Sequence, residues 1–290
     1  MTIECERSPG KMRQQVRLWQ REGLSVGLVP TMGALHEGHL SLVRASVGEC
    51  DRTVVSIFVN PTQFSPGEDL SHYPRRLESD CRLLEGVGPA VVFAPPEAIV
   101  YPASFCTYVV QERLVNRLCG AFRPAHFRGV LTVVTKLLNV VPADRAYFGR
   151  KDFQQSVVIR RMVEDLNLPV EVRLMPTVRE RDGLAMSSRN EYLSPAQRKQ
   201  AVCLYKALLA ARELFQAGQN SAQRLVERML EVLSAYPLAR PQYVEIVSPD
   251  TLEPVVGVTE DSVAALAVYV GEVRLIDNLP FGVFEDVFAG

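Results

Sequence analysis

The apolar positions of the first half of the chain alternate between two rhythms. Ser25–Pro30 is a short apolar run stopped by proline, and Thr53–Val59 is a second, rich in β-branched residues; both read as buried strands. Ala90–Phe93, halted by Pro95-Pro96, gives a third, Arg145–Phe148 a fourth and Val170–Met175 a fifth. Between them the spacing becomes helical. Leu40–Cys50 carries Leu40, Leu42, Val43, Ala45 and Val47, Asp69–Glu85 reads as mostly helix after Pro74, and Phe153–Asn167 as another helix. Val130–Val141 sets Leu131, Val134, Leu137 and Leu138 on one face. Short buried strands separated by helices predict an α/β fold, a Rossmann-like doubly wound parallel sheet covered on both faces.

The rhythm changes near Pro176. Ser194-Pro195 pairs an N-cap with proline at the first helical position and opens a helix through about Ala217. Ser221 opens another, with Leu225, Met229, Val232 and Leu233 on its apolar face. Three strand-like runs follow: Tyr243–Val247, Val263–Val270 and Val273–Ile276. This predicts a smaller C-terminal α+β domain. No internal repeat or low-complexity linker intervenes, so the expected domains are 1–177 and 178–290, joined by a short hinge.

Charge narrows the function classes. With 32 Lys+Arg against 33 Asp+Glu the formal net charge is −1, which leaves no global field to recruit nucleic acid or an anionic membrane. The 6 cysteines include no Cys-x-x-Cys spacing, so neither a zinc site nor a redox motif is supported. Met1–Arg17 lacks the apolar core of a signal peptide. The longest plain apolar run, Val263–Val270, is far short of the ~18 residues that a membrane-spanning helix needs. The expected setting is a cytoplasm that keeps thiols reduced. The basic residues are 27 Arg and only 5 Lys, with 4 His, so each lysine and histidine position carries information.

The segment richest in chemistry is Val29-Pro-Thr-Met-Gly-Ala-Leu-His-Glu-Gly-His39, which follows a buried strand and opens a helix. In an open parallel sheet, ligands bind at the carboxyl ends of the strands, where this turn lies. Gly33 permits a tight turn and Gly38 a close backbone approach. The free N–H groups of a helix start favour anionic oxygens. His36 and His39, three apart, share a face and can donate to phosphate oxygens as charge develops. Two duller readings stand beside this one: a metal pair that lacks an adjacent third ligand, and ordinary surface or core histidines.

Thr31-x-Gly-x-x-His-x-Gly-His39 resembles the His-x-Gly-His signature of the nucleotidyltransferase superfamily, and the longer Pro30–His39 string resembles the narrower family of pantoate–β-alanine ligases. Four further segments fit that family in order: Phe58-Val-Asn-Pro-Thr-Gln-Phe64, Arg123-Pro-Ala-His-Phe-Arg-Gly129, Phe148-Gly-Arg-Lys-Asp-Phe-Gln-Gln155 and Asp182-Gly-Leu-Ala-Met-Ser-Ser-Arg-Asn190. The resemblance implies that ATP adenylates the carboxylate of (R)-pantoate, and that β-alanine then attacks the enzyme-bound pantoyl adenylate to give pantothenate and AMP. Mg²⁺ is expected to ride on the ATP phosphates rather than on protein ligands. A homodimer is implied by the resemblance alone.

The resemblance also assigns residues. Met32, Gly33, Ala34, Leu35, His36, Glu37, Gly38 and His39 form the first ATP segment, with His36 and His39 catalytic. Gly149, Arg150, Lys151 and Asp152 form a second, and a compact ammonium such as Lys151, also taken as catalytic, suits a phosphate. Asp152 reads either as a ribose ligand or as a helix N-cap. Val178 is expected to line the adenine pocket through its backbone. Met186, Ser187, Ser188 and Arg189 are expected to make a triphosphate clamp that closes over ATP and excludes water; Ser187 or Ser188 ordering a loop, with Arg189 solvated, is the alternative. Gln63 and Gln155 are expected to bind pantoate, with Asn60 supporting Gln63; Asn-Pro is equally plain turn chemistry. Arg123 positions pantoate or the loop above it, in a loop with His126 ahead of the Val130 helix; surface solvation is the alternative. Arg150 and Cys119 depart from the family pattern, and His72 is read as structural. An adenylyltransferase that stops after the first step, a fragment of an aminoacyl-tRNA synthetase and a non-catalytic nucleotide-binding module remain as alternatives.

Overall fold

In the computed structural model, which describes residues 3–65, 67–88, 90–283 and 286–289, the chain packs as two compact units. The first comprises Met1–Arg113, Arg123–Gly149 and Val158–Met175. The second comprises Leu114–Phe122, Arg150–Val157 and Pro176–Gly290.

Six parallel strands form the sheet of the first unit: β1 (Glu4–Glu6), β2 (Val26–Thr31), β3 (Arg52–Ile57), β4 (Ala90–Phe93), β5 (Arg145–Gly149) and β6 (Glu171–Met175). Their order is β1-β4-β3-β2-β5-β6. From β2 the chain winds outward through β3 to β4, then returns to place β5 on the other side of β2. The direction of winding reverses between β2 and β5, and that switch point opens a crevice at the strands' carboxyl ends. Both faces of the sheet are covered: Val29, Val55, Val92 and Tyr147 are buried on one face with Val43 and Leu84, and Leu28, Val54 and Ala146 are buried on the other.

β1, the helix Pro9–Arg21 and the single helical turn Glu97–Val100 were not expected from the sequence. β1 is three residues long, carries two glutamates and pairs with β4 at the sheet edge, so it has neither the length nor the apolar pattern of a buried strand. The helix Pro9–Arg21 buries Met12, Val16 and Trp19 at helical spacing, and Ser8 caps it by accepting from Lys11 N at 3.4 Å. The helix expected from Val130 begins earlier, at His126, which is therefore helical rather than in a loop.

In the second unit β8 (Ala239–Val247), β9 (Val263–Val270) and β10 (Val273–Pro280) form an antiparallel meander, as the three apolar runs predicted. The helix from Ser194 is split: Pro195–Ala201 and Cys203–Gln216 meet at Val202. Its start is as expected, with a capping box between Ser194 and Gln197. A two-residue strand β7 (Val178–Arg179) pairs in parallel with β11 (Val287–Phe288), both too short for a periodic signal. Helix Ala222–Ser234 buries Leu225, Met229 and Leu233 against the core shared by the meander. Within that unit Arg179 is fully buried, held by Asp277 at 2.7 and 3.1 Å and Asp286 at 2.6 Å. Its guanidinium lies 4.0 Å from the Tyr205 ring centroid.

Candidate active site

The turn after β2 sits at the edge of the switch-point crevice, and its shape is imposed. Gly33 and Ala34 both take left-handed backbone angles, φ +84 and +50. For alanine that conformation is strained, so something must hold it. Asp80, on helix Leu77–Glu85, does so: its carboxylate accepts from Ala34 N at 3.0 Å and Leu35 N at 2.8 Å. A Cβ at Gly33 would stand 3.0 Å from Asp80 Oδ2 and 3.1 Å from Ile57 Cγ2, so glycine serves both the angle and the space. Burial pushes the Asp80 carboxyl above the ordinary aspartate range, against the two N–H bonds that favour its charged form.

The turn delivers His36 as the N-cap of helix Glu37–Glu49, with His39 in its first turn. His36 Nδ1 accepts from Gly38 N at 3.2 Å, and His39 Nδ1 accepts from His36 N at 3.4 Å. Two backbone donors thus assign the tautomer of both rings: Nδ1 is bare and Nε2 carries the proton. The ring centroids are 4.1 Å apart. The result is a pair of Nε2–H donors at a helix N-terminus, which favours anions. Among the described residues no group of three or more His, Cys, Asp and Glu is placed to hold a metal ion. Glu37 is engaged by Arg44 on the outer side of this helix.

Asn60 and Gln63 follow β3 on the same rim. Asn60 is 1% exposed and commits its hydrogen-bonding capacity to the turn. Its Oδ1 accepts from Thr62 Oγ1 and Tyr101 OH, each at 2.9 Å, and its Nδ2 donates to Gln63 Oε1 at 3.0 Å and Gly129 O at 3.1 Å. With Oε1 taken, Gln63 presents its amide NH₂, which approaches Met32 Sδ at 2.9 Å. The turns after β2 and β3 are thereby brought together. Arg123 is committed to Glu68 by two bonds of 2.6 Å and donates to Gln63 O at 3.2 Å. His126 Nδ1 shares that carbonyl at 2.8 Å. Arg123 thus shapes the loop that carries Gln63. Gly129 completes the seat: a Cβ there would lie 2.3 Å from Thr62 O and 2.5 Å from Gln63 N.

The remaining expected residues belong to the second unit, apart from Gly149, which ends β5. Arg150–Asp152 is one 3-10 turn. Lys151 Nζ lies 3.7 Å from Asp152 Oδ1, a loose pair that leaves the ammonium able to meet another anion. Gln155 is half-buried on the following helix, while its neighbour Gln154 is buried and donates to Leu114 O and Arg117 O at 2.8 Å each. Val178 and Met186 are joined, Met186 N donating to Val178 O at 2.9 Å. Ser187 caps the 3-10 helix Ser188–Tyr192, its Oγ accepting from Arg189 N at 3.3 Å, so these hydroxyl and cationic groups ride on one short helical start. Cys119 is buried with its Sγ 3.3 Å from Tyr243 OH and 3.4 Å from Arg274 Nη2. His72 meets Ser71 Oγ at 3.0 Å.

Comparison with known proteins gives this arrangement its family. The family model for pantoate-beta-alanine ligase matches residues 4–280. The chain belongs to the pantoate–β-alanine ligase family. It is 53% identical over 272 residues to the pantothenate synthetase of Pelotomaculum thermopropionicum, spanning 94% of this chain and 96% of that one. It superposes on the crystal structure of pantothenate synthetase from Thermus thermophilus with a TM-score of 0.91 at 46% identity, covering 97% of this chain and 100% of that chain. A pantoate–β-alanine ligase from Francisella tularensis, complexed with β-γ ATP and β-alanine, superposes with a TM-score of 0.79 at 31% identity, covering 96% and 98%. Asp80, Tyr101, Gly129 and Asn278 act in these segments without having been singled out. Asp80, Tyr101 and Asn278 meet partners more than forty residues away, in patterns that no local spacing reveals.

Two outcomes follow from this geometry. Gly129→Ala should displace the Asn60–Gln63 turn and raise the KM for pantoate by about 10-fold or more, since ~1 Å of misplacement can cost ~10²-fold. An unchanged KM would show that the close approach does not set Gln63. Glu68 is driven up by burial, but the hydrogen bonds and charge of Arg123 outweigh this and hold its carboxyl below the ordinary glutamate range. That pair therefore contributes stability above the unfolded-state pKa and loses it as pH falls through the lower, folded value. Urea midpoints across an acid series should fall more steeply for the parent protein than for Glu68→Gln; parallel curves would contradict the sign.

Proposed function

We propose that the chain joins (R)-pantoate to β-alanine in two steps through an enzyme-bound pantoyl adenylate. Family membership makes it an amide-forming ligase, and a relative complexed with β-γ ATP and β-alanine supports the nucleotide and the amine as substrates. In the first step a carboxylate oxygen of pantoate attacks the α-phosphorus of ATP, and pyrophosphate leaves with the electrons of the broken P–O bond. In the second the amine of β-alanine, having shed a proton, attacks the acyl carbon; the amide C–N bond forms, the nitrogen gives up a further proton, and AMP leaves with the electrons of the broken acyl C–O bond. Mg²⁺ enters on the ATP phosphates as part of the substrate.

The observation that carries this reading is the pair of imidazoles with both Nδ1 atoms taken by backbone N–H groups. Donors fixed before the reaction stabilise charge developing on phosphate oxygens without reorganising. They also place no strong base beside the carboxylate. Lys151, Gly149, Arg150 and Asp152 serve ATP from the turn after β5, with Val178 at the adenine and Met186, Ser187, Ser188 and Arg189 at the phosphates. Met32–His39 bind the nucleotide from the turn after β2. Gln63 offers its NH₂ to an oxygen of pantoate, Gln155 assists, and Asn60 and Arg123 hold Gln63 in place. Among the described residues no helix is long and apolar enough to cross a membrane. The near-neutral charge supports a chain without nucleic-acid or membrane partners, the cysteine usage a reducing cytoplasm, and the family resemblance alone a homodimer.

The test is isotope exchange between pyrophosphate and ATP. Exchange should require pantoate but not β-alanine, and AMP should accumulate with turnover only when the amine is added. Absence of pantoate-dependent exchange would overturn the adenylate route. His39→Ala should lower exchange by about 10²- to 10³-fold, the scale of removing one preorganised donor, while the KM for ATP stays within about threefold. Equal losses in exchange and ATP affinity would mean that the imidazole binds ground and transition states alike.

A further inference from the structure

Asn278 lies in β10 and is 4% exposed. Its Nδ2 donates to two successive backbone carbonyls, Arg150 O at 3.0 Å and Lys151 O at 2.9 Å. A planar NH₂ that bridges two carbonyls fixes the orientation of both peptide planes. These planes belong to the 3-10 turn that carries Lys151. Asn278 Oδ1, by contrast, is buried and has no hydrogen-bond partner among the described residues. A side chain present for packing alone would not strand a buried acceptor; the donor end accounts for the amide.

The same strand carries the constraint further. Asn278 N donates to Asp277 Oδ1 at 2.8 Å, and Asp277 grips the buried guanidinium of Arg179. Arg179 is the second residue of β7, directly after Val178. The three-residue Lys151 turn and the two-residue β7 are thus both tied to β10. We propose that Asn278 is a positioning residue for Lys151. It holds the turn so that the ammonium stands where the ATP phosphates bind, and Asp277–Arg179 gives β7 the same reference. This rests on the phosphate role of Lys151 given above. Asn278 itself acts through the backbone of the Lys151 turn.

The experiment is a double-mutant cycle on the full-length protein, read by pantoate-dependent pyrophosphate exchange at saturating ATP. Asn278→Ala alone should lower exchange by about 10- to 100-fold, the effect of a slightly misplaced group, with the KM for pantoate within about twofold. In a Lys151→Ala background the same change should cost less than about twofold, because the group being positioned is gone. Losses that multiply would overturn the proposal, since a purely structural role weakens both backgrounds alike. A Lys151→Ala enzyme with unaltered exchange would overturn the phosphate role of Lys151, and this proposal with it. If Asn278→Ala does not accumulate as folded protein, Asn278→Thr, with one hydroxyl donor in place of two amide hydrogens, should show a smaller loss and the same dependence on Lys151.

Discussion

The buried carboxylate of Asp80 holds the turn that delivers His36 and His39 to their helix start. It accepts from Ala34 N and Leu35 N, and so keeps a non-glycine residue in a left-handed conformation that the chain would otherwise avoid. Release that turn and the entry angle of helix Glu37–Glu49 changes, and with it the N-cap position of His36. Gly38 N and His36 N could then no longer donate to the Nδ1 atoms of His36 and His39. Donor chemistry at this helix start is therefore a property of backbone geometry as much as of residue type.

A similar logic runs through the rest of the site: the groups expected to meet substrate are flanked by others whose polar atoms are already engaged. Asn60 uses both ends of its amide and so fixes which end Gln63 presents. Arg123 neutralises Glu68 and turns toward the Gln63 carbonyl. Arg179 is satisfied by two carboxylates in the interior of the second unit, an arrangement better suited to fixing a unique geometry than to adding stability, because desolvation offsets much of the attraction. The near-zero net charge seen in the sequence fits this. Charge is concentrated in paired, local sets rather than spread as a field.

Where the sequence was legible, a repeated local pattern made it so. β9 is an unbroken apolar run, β2 and β3 are short segments dominated by apolar and β-branched residues, and the Ser194 cap is a spaced motif; each appears in the structure close to where it was expected. β1 and the paired two-residue strands β7 and β11 were not legible, because two or three residues carry no period. Helix Pro9–Arg21 was legible in principle through Ser8-Pro9 and the spacing of Met12, Val16 and Trp19. The candidate site divides likewise. His36, His39, Gln63 and Lys151 stand in motifs, whereas Asp80 and Asn278 act on segments 45 and 127 residues away in the chain, and only folding brings them there. Arg123 was visible as a residue, but its commitment to Glu68 was not.

Donation from His36 and His39 to phosphate oxygens requires both imidazoles to be Nε2–H donors before any substrate binds. Nitrogen-15 NMR of the histidine side chains reads this directly, since a bare ring nitrogen and a protonated one differ widely in shift. With His36→Gln and His39→Gln used for assignment, the substrate-free protein at neutral pH should show a bare Nδ1 and a protonated Nε2 for both residues. A protonated Nδ1 on either ring, as the other tautomer or as imidazolium, would contradict the account, because the backbone N–H groups that meet those atoms would then have no acceptor.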